Sequence, residues 1–182
     1  FASIVLGIDG LQPHIQMHAR KLKTDAVALA VTHPTRAIPA DVLAAYHVPA
    51  NLNGAGQTIA IFATALPLAS DLATFDQLTG TNEIPASFTV VSVNGGPLPN
   101  GGSLNEATLD TQWSTGIAPG ANLRVYAAPT GSLPNFVAAC TQILNEGIVK
   151  IVSSSISSPE TSFAPASLQS SSQLFAQMAA AG

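Results

Sequence analysis

Short apolar segments alternate with segments of helical character along most of this chain. The apolar segments lie at 58–64, 88–93, 123–127 and 148–153, and helices are predicted at 40–46, 70–78, 106–115, 134–145 and from about 167 onward. Connections between parallel strands are nearly always right-handed and pass through a helix. The alternation therefore predicts an α/β fold whose mostly parallel sheet carries helices on both faces. The last apolar segment is predicted to be a strand buried on both faces.

Charged residues are scarce, at 9% of the chain against about 25% in typical globular domains. Residues 1–39 hold four basic and two acidic residues, a net charge of +2, whereas the rest holds two basic and eight acidic residues, a net charge of −6. No stripe of Lys and Arg could neutralise phosphates, which excludes nucleic acid as a partner. A surface this poor in carboxylates gains little charge in acid, as suits an acid-tolerant secreted protein or any neutral extracellular one.

Cysteine and histidine usage narrows the chemistry further. Cys140 is the single cysteine, so neither an internal disulfide nor a thiolate metal site is expected. Its apolar surroundings predict a buried structural thiol. The four histidines all precede the predicted sheet (His14, His18, His33 and His47), so no Ser-His-Asp triad is expected within it. No apolar run approaches the ~18 residues that span a bilayer, and we expect no membrane span.

Glu106 and Asp110 are the candidate catalytic pair. Their spacing of four residues on a predicted helix puts both carboxylates on one face, with Cβ atoms about 6 Å apart. Such a pair is more often a solvated helix face. In a chain with so few charges, its position between a Gly-rich loop at 94–102 and an Ala-Pro-Gly-Ala break at 118–121 favours function. Coupled carboxyls titrate in two steps, so one can act as a base where an imidazole would already be protonated.

The residues around this pair resemble those of the sedolisins, the serine-carboxyl peptidases. The segment NEATLDTQW at 105–113, followed by GIAPGANLRVY at 116–126, is similar to the Glu-x-x-x-Asp helix and Ala-Pro-Gly-Ala turn of that family. The segments YHVP at 46–49 and GAGQTIAI at 54–61 resemble the start of its mature domain, and GIDGL at 7–11 resembles the tail of its propeptide. The resemblance covers nearly the whole chain.

This resemblance implies a subtilisin-like fold, present here as roughly half a domain. It implies that 1–19 is the end of a propeptide, that 20–39 is a linker with the maturation region, and that 40–182 is the N-terminal half of the catalytic domain. The predicted strand at 1–8 would belong to the propeptide. We expect the basic segment 1–39 to be held to the acidic segment 40–182 partly by charge, as in a zymogen. Acid would release the basic segment because it protonates the carboxylates.

The resemblance also implies roles for named residues. Glu106 would be the base that deprotonates a serine, and Asp110 would orient it and set its proton affinity. The segment that follows the last strand would be the edge to which an extended peptide substrate adds: Ser153, Ser154, Ser155, Ile156 and Ser157. Some sedolisins extend the carboxylate network through a Glu and a Trp, and those positions are Ala63 and Ile156 here.

Two motifs of the family are absent from the sequence, namely the Gly-Thr-Ser of the nucleophile and the Ser-Gly-Asp of the oxyanion-stabilising aspartate. The resemblance places both, with a calcium loop, in a C-terminal half that would be a separate or missing partner. We expect no cofactor or metal in this chain, and this polypeptide alone should be inactive. The alternatives are a non-catalytic peptide-binding or scaffold relative and, less well matched, a glycosidase, whose two acids flank a sugar bond.

Overall fold

The computed structural model describes residues 37–81, 87–99 and 104–182. The segment predicted to be a propeptide (1–19), most of the predicted linker (20–39) and the predicted strand at 1–8 lie outside the described residues. The described helices and strands follow in the order α1 (Pro39–Ala45), β1 (Thr58–Ala63), α2 (Ala69–Thr79), β2 (Ser87–Ser92), α3 (Leu104–Ile117), β3 (Asn122–Ala127), α4 (Leu133–Glu146), β4 (Ile151–Ser153) and α5 (Pro165–Ala181), with a 3₁₀ turn at Glu160–Ser162 between the last two.

The strands form one four-stranded sheet in the order β2-β3-β1-β4. All three pairings are parallel. Thr58 of β1 lies opposite Asn122 of β3, and the two strands stay in register to Ala63 and Ala127. The carboxyl ends of β1, β3 and β4 therefore lie at the same edge of the sheet, and the predicted parallel α/β architecture is confirmed.

The alternation of side chains along β1 builds a core on each face of the sheet. Ile59, Ile61 and Ala63 pack on one face with Ala107 of α3. Ala60 and Phe62 pack on the other face with a second cluster, which includes Ile143 of α4. A strand whose successive side chains point to opposite faces must be apolar at every position to serve two helix layers. Helices thus cover both faces, as the sequence predicts.

The last strand departs from its prediction. We expected a strand over 148–153 that is buried on both faces, whereas β4 covers only Ile151–Ser153. Ile151 is 45% exposed and Val152 is 38% exposed. The reason is the place of β4 at the end of the sheet, where it pairs with β1 alone among the described strands.

Polar contacts hold the end of α4 to β3. Glu146 accepts hydrogen bonds at Oε2 from Arg124 Nη2 (2.8 Å) and from the Tyr126 hydroxyl (2.6 Å). Burial, followed by the hydrogen bond to Glu146, raises the pKa of Tyr126 to about 12, so the phenol remains a donor at any ordinary pH. These contacts fix the last turn of α4 against the sheet.

The helices α1, α2 and α3 are packed closely together. The Trp113 ring of α3 lies 6.4 Å from the Phe75 ring of α2, and Gln112 Nε2 donates to the carbonyl of Asp71 at 2.9 Å. Trp113 is therefore a packing residue, as expected. Gly116 faces the ring of Pro39 so closely that a Cβ placed on it would lie 2.5 Å from Pro39 Cγ.

Gly116→Ala is expected to destabilise the chain by about 1–3 kcal/mol, the usual cost of overpacking. Alanine is the better helix former by about 1 kcal/mol, but the added methyl would also lie 3.1 Å from Phe75 Cε1. The Pro39 ring is buried and closed on its own backbone, so it cannot turn away from the added methyl and the clash dominates. Urea unfolding measures the difference, with Asn105→Ala at an exposed position of α3 as the control. Equal stability of the Gly116→Ala variant and the parent would contradict this packing.

Among the described residues, no helix is both long and apolar enough to cross a membrane.

Candidate active site

The helix α3 carries both candidate acids. Its buried face bears Ala107 and Thr111, which are 3% and 0% exposed, and the small Ala107 side chain lets α3 lie close to β1. Glu106 and Asp110 flank that buried face on adjacent turns. Glu106 is exposed and Asp110 is partly buried. The packing of α3 therefore directs the two carboxylates toward the carboxyl end of the sheet.

These two acids line one cavity of about 290 Å³ at that edge. Its walls come from the end of β1, from α3, from the loop between β3 and α4, and from the segment after β4. The lining residues are Phe62, Ala63, Thr64, Glu106, Ala107, Asp110, Gly131, Ser155 and Ile156. Ligands of open parallel sheets bind outside the carboxyl ends of the strands, so the cavity lies where a functional site is expected.

Asp110 is hydrogen-bonded across the cavity. The hydroxyl of Ser155 donates to Asp110 Oδ1 at 2.8 Å, joining residues 45 positions apart in the sequence. The pKa of Asp110 is raised above its ordinary value, chiefly because burial disfavours the charged form. The hydrogen bond from Ser155 opposes that rise in pKa, and the neighbouring charge of Glu106 adds to it. Asp110 is therefore the member of the pair whose protonation extends to higher pH than usual.

The raised pKa of Asp110 fixes the sign of its contribution to stability. The folded chain holds this proton more tightly than the unfolded chain, in which the pKa is near 3.8. Stability therefore falls as the pH rises through the folded-state pKa. Below the unfolded-state pKa both states are protonated, so the stability no longer changes with pH through this group. The side chain favours the folded state in acid relative to neutral pH.

The predicted substrate edge is only partly gathered at this cavity. Of its five residues, Ser155 and Ile156 line the cavity with the acids. Ser153 still belongs to β4 and lies opposite Ile61 of β1. Ser154 lines a different cavity. Ser157 is exposed and lines neither of these two cavities.

Four lining residues were not predicted from the sequence. Ala107 lies on α3, Phe62 and Thr64 lie at the end of β1, and Gly131 lies in the loop that follows β3. A Cβ on Gly131 would come within 3.1 Å of Ile156 Cδ1, so the absence of a side chain there admits Ile156. The signal that could have found Phe62, Thr64 and Gly131 is the position of each at or just after the carboxyl end of a predicted strand, because the ends of neighbouring parallel strands meet at one edge of the sheet.

The larger cavity, of about 470 Å³, lies on the other face between α4, α5 and β4. Its wall includes the Cys140 thiol, which is 1% exposed, and the expectation of a buried cysteine is confirmed. Burial raises the pKa of Cys140 to about 11, so the thiol is not an activated nucleophile. Lys150 Nζ donates to the carbonyl of Ala181 at 2.6 Å and caps the end of α5.

Comparison with known proteins gives the family. The chain is 33% identical to kumamolisin from Bacillus sp. (strain MN-32) over 188 residues, which covers 98% of this chain. The chain belongs to the sedolisin family. Pseudomonas sedolisin, described as a serine-carboxyl proteinase and solved with two molecules of pseudo-iodotyrostatin, matches with a TM-score of 0.53 over 71% of this chain at 21% identity. This second likeness confirms the subtilisin-like fold.

The match to sedolisins is partial in length. The chain spans 34% of kumamolisin and 38% of the Pseudomonas sedolisin chain, so the structure is that of part of a sedolisin domain. No protein-family model matches the sequence. Among residues 37–81, 87–99 and 104–182, no group of three or more His, Cys, Asp or Glu could hold a metal ion. The expectation that calcium binds in a C-terminal half stays a prediction.

Proposed function

We propose that this chain is the N-terminal part of the catalytic domain of an acid-acting serine-carboxyl endopeptidase, made as a secreted zymogen. One observation carries the proposal: Glu106 and Asp110 line the same cavity at the carboxyl end of the sheet, and Asp110 is hydrogen-bonded to the segment proposed to bind substrate. An acidic pair that served only to solvate a helix face would not need to share a cavity with the ends of two strands.

In the proposed mechanism Glu106 is the general base. A serine hydroxyl attacks the carbonyl carbon of the scissile peptide bond while its proton passes to Glu106. Glu106 then gives the proton to the leaving nitrogen, and water hydrolyses the resulting ester by the reverse sequence. The nucleophilic serine and the group that stabilises the oxyanion come from outside this sequence, which contains neither family motif.

Asp110 supports this cycle by holding a proton beside Glu106. The raised pKa of Asp110, caused mainly by burial, allows one carboxyl of the pair to stay protonated while the other is ionised. A protonated Asp110 can donate a hydrogen bond to the Glu106 carboxylate and orient it. A histidine in the place of Glu106 would already carry a proton in acid and could not accept one.

The substrate class follows from the edge beside the pair. An extended peptide can add to the segment 153–157 through backbone hydrogen bonds, which read the peptide group rather than its side chains. A second candidate is a relative that binds peptides at this edge without cleaving them.

A pH profile of proteolysis separates the two candidates. The full product of the gene that encodes this chain is incubated with a denatured protein substrate between about pH 3 and pH 7. A sedolisin peptidase cleaves with a maximum on the acidic side, because its base is a carboxylate, whereas a peptide-binding relative shows saturable binding and no new N-termini. Cleavage with a maximum near neutral pH would contradict a carboxylate base.

A further inference from the structure

We infer that Ser155 is a positioning residue that holds Asp110 in place by a hydrogen bond across the cavity, so that the proposed substrate edge and the acid pair work as one unit. The inference rests on the proposed function, since it assigns a role within that site.

The geometry of the hydrogen bond supports this role. Ser155 Oγ lies 2.8 Å from Asp110 Oδ1, which is the length of a sound hydrogen bond from a hydroxyl to a carboxyl oxygen. It joins α3 to the chain just beyond β4, across 45 positions of the sequence. Asp110 is anchored in this way on the side of the cavity opposite its own helix.

The segment that carries Ser155 is itself held in place. Ile156 lies against Gly131, where an added Cβ would meet Ile156 Cδ1 at 3.1 Å. The neighbouring Ser153 is fixed in the register of β4 against β1. Ser155 thus lies between a residue paired in the sheet and a residue packed on the next loop, and its hydroxyl is presented to Asp110 by its neighbours.

Ser155 matters more in a chain that lacks the extended carboxylate network of some sedolisins. The family resemblance puts Ala63 and Ile156 at the positions where some sedolisins carry a Glu and a Trp, and neither side chain can hydrogen-bond. Both of these apolar residues line the cavity. Ser155 supplies Asp110 with a hydroxyl donor from the residue beside Ile156. Because the same residue belongs to the edge proposed to bind the peptide, a substrate that shifts this segment also shifts the proton affinity of Asp110.

The electrostatic surroundings of Asp110 are simple enough to test. Among the described residues that line the cavity, Glu106 on α3 is the only other titratable group. The end of β1, the loop after β3 and the segment after β4 contribute only groups that do not titrate (Phe62, Ala63, Thr64, Gly131, Ser155 and Ile156). A change in the pKa of Asp110 on altering Ser155 therefore reports on their hydrogen bond.

The experiment is an NMR titration of the side-chain carboxyl carbon of Asp110 in the 182-residue chain. Ser155→Ala removes the donor to the ionised form, so the pKa of Asp110 is expected to rise above that of the parent. Ser155→Thr keeps a hydroxyl and should restore the parent value. Ser154→Ala, one residue away and lining the other cavity, should leave the titration of Asp110 unchanged.

Ser155→Cys is a second variant of nearly the same shape with a weak donor, and it replaces Ser155→Ala if that chain does not fold. The inference is overturned if the pKa of Asp110 is the same in the parent and in the donor-removing variant, or if Ser154→Ala moves it equally. The titration does not depend on proteolysis. If the gene product had no peptidase activity, the proposed function would be wrong. A titration of Asp110 that depends on Ser155 would still support the hydrogen-bond role inferred here.

Discussion

Glu106→Gln is expected to lower kcat/KM of the full gene product toward a protein substrate by about 10²- to 10⁴-fold, the range over which a positioned general base contributes. Glutamine has nearly the same shape as glutamate but cannot accept a proton from a serine hydroxyl. The measurement is the initial rate of cleavage of a quenched peptide at the acidic optimum. Binding of the peptide should change little, so most of the loss is expected in kcat.

The matched control is Glu160→Gln, an exposed glutamate in the short turn that follows the substrate edge. This variant changes the net charge by the same amount and should keep full activity. If Glu106→Gln retained activity within a factor of two or three of Glu160→Gln, Glu106 would not be the base. Far-ultraviolet circular dichroism of both variants distinguishes a catalytic loss from unfolding.

Ile61→Ala should be the most destabilising of the stability changes considered, by about 2–5 kcal/mol. Ile61 is fully buried in the central strand β1, between β3 and β4, and packs in the cluster that contains Ala107 of α3. Removing its outer carbons loses apolar burial and leaves a cavity that neighbouring strands cannot close. Since whole domains are stable by only about 5–15 kcal/mol, urea unfolding should show a large fall in the midpoint.

Leu78→Ala on α2 is the control for this change, because that side chain is 73% exposed. A surface substitution of this kind is expected to alter stability by no more than about 0.5 kcal/mol. A loss below about 1 kcal/mol for Ile61→Ala, well short of the usual range for a buried aliphatic residue, would show that β1 is not the centre of the core. Equal slopes of the unfolding curves would confirm that the comparison is between like denatured states.

Most of the described fold could be predicted because single residues mark where the helices end. Gly80 and Gly147 closely follow the segments predicted as helices at 70–78 and 134–145, and both adopt left-handed conformations at the C-caps of α2 and α4, with φ of 71° and 68°. That conformation costs glycine nothing and other residues more. The short apolar segments between these helices could therefore be predicted as strands.

Burial of β4 could not be predicted because it depends on neighbours. The run from 148 to 153 has the composition of an internal strand, yet Ile151 and Val152 are exposed at the end of the sheet. A strand's own residues show that it can be buried. Whether a further strand or helix covers it is a property of the surrounding chain.

The candidate site divides in the same way. The spacing of Glu106 and Asp110 is local, since residues four apart on a helix share a face, and the structure has both lining one cavity. The contact between Asp110 and Ser155 spans 45 residues. It depends on β4 lying next to β1 rather than next to another strand, and no local pattern states that order.

The exposed end of the sheet has a practical consequence for work with this chain. A terminal strand has unpaired backbone groups that can pair with an extended segment of another molecule. The exposed apolar side chains of Ile151 and Val152 favour this pairing. Two molecules could join there through an intermolecular β-sheet. Dilute samples and early light-scattering checks would distinguish self-association from true folding defects in every variant named above.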